Sequence, residues 1–142
     1  MPGNLVFVFG SNLAGVHGAG AAAYALKNEG AVWGDGLGRQ GNSYAIPTKD
    51  EYIRTLPLHV VQVFIYAFIC YAKSNPNEVF KVTRIGCGLA GFEDKEIAPN
   101  FIAAPENCIF DVEWKQFFPD IPEDKFFSFE EPCKQPKSKS KK

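Results

Sequence analysis

Asn12 and His17 carry definite side-chain chemistry in a turn otherwise made of glycine, alanine and aliphatic residues, Asn12-Leu13-Ala14-Gly15-Val16-His17-Gly18-Ala19-Gly20, which follows Gly10-Ser11. An amide side chain both donates and accepts, so it can hold a sugar hydroxyl. An imidazole can donate a hydrogen bond or move a proton near neutral pH. The glycines leave main-chain N–H groups open where a helix begins, which suits a phosphate. The same residues also have a purely structural use, since Asn tolerates turn conformations and His can pack against or cap the helix. Spacing alone leaves both uses open.

A second glycine turn, Gly86-Cys87-Gly88-Leu89-Ala90-Gly91-Phe92, follows another apolar run. It matches Gly-x-Gly-x-x-Gly, but the dinucleotide fingerprint belongs to a first strand–helix turn with an acidic residue about 20 positions later. This turn comes late and its helix starts after it, so a Rossmann site is disfavoured. Gly36-x-Gly38-x-x-Gly41 matches the same text yet runs into a strand, and Gly34–Asn42 reads as a mobile loop. No glycine run is followed by the Gly-Lys-Ser/Thr of a Walker loop. Cys87 reads first as a small packing residue, with a reactive thiol as the alternative.

The elements that would position these turns follow from pattern. Leu5 to Phe9 is an apolar strand, and Gly20 or Ala21 to Asn28 is a helix closed by Gly30. Ser43 to Ile46 is a short strand expected to stop at Pro47. Pro57 to Ser74 reads as a buried helix and Val79 to Ile85 as an alternating strand. A helix from Asp94, as N-cap, to Ala103 is expected to turn Ile97, Phe101 and Ile102 inward, with Pro99 able to shorten it. Cys108 to Trp114 would be the last strand, and Phe117 to Phe129 would wrap over the body. The alternation predicts an α/β fold, a three-layer α/β/α arrangement on a mostly parallel or mixed sheet, with ligands at the strands' carboxyl ends.

The bulk properties set limits. A chain of 142 residues with 46% hydrophobic and 14% aromatic content is expected to form one domain over residues 1–129, followed by a disordered basic tail over 130–142. No leader pattern or membrane-length apolar segment is read, and four dispersed cysteines without a C-x-x-C pair suit free thiols in a cytoplasmic protein. No metal and no cofactor is expected. The net charge of −1 includes five lysines at the extreme C-terminus, so the remainder carries −6. That acidity disfavours a nucleic-acid face, and a bound phosphate is expected on backbone amides rather than on lysines.

In these turns the chain resembles the macrodomain family of ADP-ribose-binding proteins, closest to its viral-type branch. Phe9-Gly10-Ser11-Asn12, a spacer to Val16 and His17-Gly18-Ala19-Gly20-Ala21-Ala22 are similar to the family's strand, Asn, His and glycine run. Ile85 to Phe92 is similar to its second signature, and Gly41 to Pro47 and Leu56 to Ser74 to the elements between them. The likeness spans residues 5–112. It implies that Asn12 holds the terminal ribose and that Gly10 and Ser11 border it. Amides around His17, Gly18, Ala19 and Gly20, and those of Gly86, Cys87, Gly88, Leu89, Ala90 and Gly91, would clasp the diphosphate. Phe92 would pack on the ligand, and His17, with Asn12, would act catalytically at the terminal ribose.

The chain departs from the family in three places. Only Met1 to Asn4 precede the first strand, where the family has two strands and an adenine-reading Asp. Phe9 replaces the first Asn of the usual Asn-Ala-Ala-Asn, and Ala21 and Ala22 stand where ADP-ribose-cleaving branches have an acid. A second copy of the chain could cover the sheet edge left by the missing strands.

The expected function is binding of ADP-ribose or a related NAD-derived metabolite, with hydrolysis of a terminal-ribose substituent, as in an ADP-ribose-1''-phosphate phosphatase, as its catalytic form. The alternatives are a non-catalytic ADP-ribose-binding module and a protein-interaction domain working through the Phe-rich C-terminal segment.

Overall fold

The computed structural model describes residues 4–129, so the basic tail lies outside the described residues. The sheet has six strands in the order β2-β3-β1-β4-β5-β6. They are β1 (Leu5–Asn12), β2 (Gly38–Gln40), β3 (Ser43–Lys49), β4 (Val79–Val82), β5 (Cys108–Asp111) and β6 (Phe126–Phe127). Every pairing is parallel except β2 with β3. The fold is α/β with a mixed, mostly parallel sheet and helices on both faces.

β1 lies in the middle because all of Val6 to Phe9 is apolar and can be buried on both sides. Val6 and Val8 join a cluster with Val61, Ile65 and Phe68 of helix α2 (Leu58–Lys73). Phe7 and Phe9 point the other way, onto Ala21, Ala22 and Ala25 of helix α1 (Gly20–Asn28). Alanines there let α1 lie close to the sheet. Gly30 ends that helix in a left-handed conformation (φ 79°), and the Ala31 N–H reaches back to the Ala25 carbonyl.

The chain leaves β1 toward β3 on one side, then crosses back over β1 to reach β4 on the other. With right-handed crossovers these two connections occupy opposite faces, and the reversal opens a crevice at the carboxyl ends of β1, β3 and β4.

Several elements differ from expectation. β1 runs on to Asn12, so the glycine turn begins later than its composition suggests. β3 continues through Pro47 to Lys49. β2 pairs only Ser43 to Ala45, so Pro47 lies where β3 has no β2 partner and a missing N–H breaks no ladder with it. The Gly34–Asn42 segment is not a mobile loop. It contains β2, and Arg39 on that strand pairs with Glu78 (2.7 Å) and donates to the Tyr71 hydroxyl (2.8 Å).

α2 buries only one face. Val63 and Tyr66 are 64% and 69% exposed, because they lie on the side of the helix opposite the buried row Val61, Ile65, Phe68, Ile69 and Ala72. The predicted Asp94–Ala103 helix is a single turn, α3 (Asp94–Ile97), followed by a 3-10 turn over Ala98–Phe101, since Pro99 disrupts the regular ladder. Its N-cap is Glu93, in a reciprocal capping box with Glu96, and Asp94 is used elsewhere. Ile97 and Phe101 are buried as expected, but Ile102 is exposed.

β5 stops at Asp111. Trp114 sits on a following 3-10 helix, fully buried, and the last strand is the two-residue β6. The segment from Phe117 does fold over the body. Phe118 stacks on Phe110, and Phe129 meets the rings of Phe7 and Tyr24. No helix among the described residues is long and apolar enough to cross a membrane. None of Cys70, Cys87 and Cys108 is disulfide-bonded, and burial pushes the Cys108 thiol up to about 12.

Candidate functional site

The two glycine turns meet. A Cβ built on Gly10 would stand 3.3 Å from the Gly86 backbone nitrogen, which sets the end of β1 directly against the start of the second turn. Gly86 itself needs a left-handed conformation (φ 76°), and any side chain there would press on the Phe92 ring at 3.0 Å. Between the turns lies a cleft of about 220 Å³. Its walls include Gly10, Ser11 and Asn12, the α1 entry from Gly18 to Ala22, and Gly86, Gly88, Leu89 and Ala90.

The α1 entry is chemically open. Ala19 occupies the N-cap position with an extended backbone, no side chain caps this end, and no acidic residue lies in the first turn. The first amides of the helix therefore face the cleft with the helix dipole behind them, an arrangement that favours an anion.

Asn12 is 8% exposed and folds onto its own turn. Its Nδ2 donates to the Val16 carbonyl and its Oδ1 accepts from the Val16 N–H, both at 2.9 Å. That ring uses half of the amide's capacity, and the residue stands on the cleft wall. Structural and ligand-facing uses of this residue coexist.

His17 does not line the cleft. It is 1% exposed, packs edge-on against Phe9 (ring centroids 5.4 Å apart), and places Nε2 3.0 Å from the Asp35 carbonyl oxygen. A carbonyl only accepts, so Nε2 is the donor in this bond. Nδ1 is buried and has no hydrogen-bond partner among the described residues. The imidazole pins the 32–37 loop to the first turn, in place of the expected position beside a ribose. Apolar packing on Phe9 outweighs the exposure that His in a glycine run suggests.

Cys87, Gly91 and Phe92 also lie outside the cleft wall. The Cys87 thiol points to the Ile85 carbonyl oxygen (3.5 Å) and interacts with Asp94. Phe92, expected to pack on the ligand, is partly buried and packs against the main core.

The walls also hold residues that the sequence reading missed: Thr48 and Lys49 from the end of β3, Thr83 and Arg84 just past β4, and Ile53. The threonines tie the strand ends together, Thr83 Oγ1 donating to the Val8 carbonyl (2.7 Å) and Thr48 Oγ1 to that of Ser11 (3.2 Å). Each is followed by a cation. A Thr-Lys and a Thr-Arg pair closing two apolar strands was the signal available in the sequence.

Arg84 is held by Asp94 through two hydrogen bonds, Nε to Oδ1 (2.9 Å) and Nη2 to Oδ2 (2.7 Å), and Trp114 Nε1 donates to the same Oδ1 (2.7 Å). Burial pushes the Asp94 carboxyl up, but Arg84 and Trp114 outweigh it and hold the group below the usual carboxylate range. The Arg84 guanidinium is correspondingly held more firmly protonated. The Lys49 ammonium has no hydrogen-bond or ion-pair partner among the described residues. The cleft wall thus carries Lys49 beside the main-chain donors, with Arg84 on the same wall already paired to Asp94, which revises the expectation that amides alone face an anion.

No group of three His, Cys, Asp or Glu side chains that could hold a metal occurs among the described residues. No family model, curated protein or solved structure matches this chain.

Proposed function

We propose that this chain is a macrodomain-like protein whose cleft binds ADP-ribose or a related NAD-derived ribosyl diphosphate. One observation carries the proposal: the uncapped entry of α1 and the Gly86–Ala90 turn, far apart in sequence, form two walls of one cleft. A diphosphate between them would accept hydrogen bonds from main-chain N–H groups on both sides and meet the charge of Lys49. The spare N–H and lone pair of Asn12 suit a ribose diol at the same wall.

Turnover driven by His17 has no support, because a ring buried against Phe9 and bonded to the Asp35 carbonyl cannot reach a ligand without opening the turn. The binding module is therefore the better-supported form of the proposal. A protein-interaction role for the Phe-rich segment is weakened by its own packing, since Phe118 is buried and Phe129 lies among the rings on the α1 face.

Titration calorimetry with ADP-ribose tests the proposal. Binding in the micromolar range is expected, about −8 kcal/mol. Gly18→Ala should weaken it about tenfold without loss of stability, because Gly18 lines the cleft and a Cβ there meets nothing nearer than 3.9 Å. No heat and no thermal shift at millimolar ligand would overturn the proposal.

A further inference from the structure

Ile53 is the only non-glycine residue among those described that has a left-handed backbone, with φ at 65°. For a β-branched side chain this is a strained state that glycine or asparagine would occupy more easily. The turn around it is built to hold it there. Asp50 Oδ1 accepts from the N–H groups of Tyr52 (2.8 Å) and Arg54 (2.9 Å), and the Ile53 N–H donates to the Asp50 carbonyl (3.0 Å). The Asp50 N–H closes the turn on the Arg54 carbonyl at 2.7 Å.

What this strain achieves is placement. Ile53 lines the cleft and is 43% exposed. On the adjoining lip Leu89 also lines the cleft and is 63% exposed. The two lips are tied by the Thr55 hydroxyl, which donates to the Ala90 carbonyl (2.9 Å). Two aliphatic side chains thus stand exposed on the wall of a cleft that also carries the glycine-turn amides and Lys49. Aliphatic faces grip a flat ring by contact area and do not read the groups on its edge. No carboxylate occurs among the described residues lining the cleft: Glu51, the nearest acid in the chain to Ile53, does not line it, and Asp50 spends its oxygens on its own turn and on Arg54.

The geometry points to a base subsite on Ile53 and Leu89 that accepts purine nucleoside-diphosphate sugars by shape, without discriminating the exocyclic amino group. This rests on the proposal that the cleft binds a ribosyl diphosphate, and it adds where the base lies and how it is selected. Binding strength then comes from the diphosphate and the ribose, and base identity is left almost free.

Calorimetry on the full chain with ADP-ribose and with its hypoxanthine counterpart, which lacks the amino group, tests the inference. The two dissociation constants are expected within about threefold of each other. Ile53→Gly and Leu89→Ala should each weaken both ligands by about fivefold to tenfold, with the thermal midpoint unchanged or, for Ile53→Gly, raised. A preference of tenfold or more for either base overturns the inference, as does wild-type affinity in both variants. In either of those cases the cleft still binds a ribosyl diphosphate. Failure of both nucleotides to bind at millimolar concentration instead removes the proposal for the cleft, and the base subsite with it.

Discussion

Gly36→Ala should drive the 32–37 loop off the first glycine turn from a position that does not itself line the cleft. A Cβ at this position would stand 1.9 Å from the Asn12 carbonyl oxygen and 3.2 Å from the Gly15 nitrogen, against an ordinary contact of about 3.5 Å. The 32–37 loop would have to retreat by well over an ångström. Three hydrogen bonds cross that seam. Ser11 Oγ donates to the Gly36 carbonyl, and His17 Nε2 to that of Asp35 at 3.0 Å. The Gly34 N–H donates to the Gly15 carbonyl at 2.8 Å.

Ser11 and His17 are 4% and 1% exposed, so losing their acceptors strands two buried donors at about 1–3 kcal/mol each. The expected loss is about 2–6 kcal/mol, a large part of the roughly 5–15 kcal/mol that holds a domain together. Gly18→Ala is the control, since nothing lies within 3.8 Å of the added methyl and its expected effect is below about 0.5 kcal/mol. Urea denaturation of both variants measures the difference. If Gly36→Ala unfolds within about 1 kcal/mol of Gly18→Ala, the seam does not hold the loop as described.

Two further substitutions probe the charges around Arg84. Asp94→Asn should cost about 1–2 kcal/mol at pH 7 by removing a charge-assisted, doubly bonded partner of Arg84. The wild-type carboxyl is held low in the fold, so its contribution is present above about pH 4 and fades as pH falls through the lowered value. Denaturation at pH 7 and pH 3 should therefore show the variant's deficit shrinking, and a constant deficit would point to packing instead. Asp111→Asn should do the reverse. Burial raises the Asp111 carboxyl, so ionisation costs stability as pH rises past its ordinary value. The amide can still accept from the Glu113 N–H (2.9 Å in the wild type). The variant should melt higher than wild type at pH 7 and show no gain below about pH 4, and a lower melting point at pH 7 would refute this account.

Local pattern was enough for the backbone of this fold. The all-apolar Val6 to Phe9 run marked a strand buried on both faces, Gly30 marked a helix end, and two glycine turns after two strands placed a cleft at their carboxyl ends. These features depend on residues a few positions apart, where backbone preference and side-chain periodicity act directly. Strand pairing and burial depend on partners distant in the chain. Nothing near Pro47 says that β2 will end opposite Ala45 and leave a place for it, and nothing near His17 says that Phe9 and Asp35 will enclose its ring. Lys49, Ile53 and Arg84 likewise reach the cleft only because β3 and β4 flank β1, which brings residues more than 30 positions apart to one rim. Sequence determined the turns; the order of the strands decided which side chains stand around them.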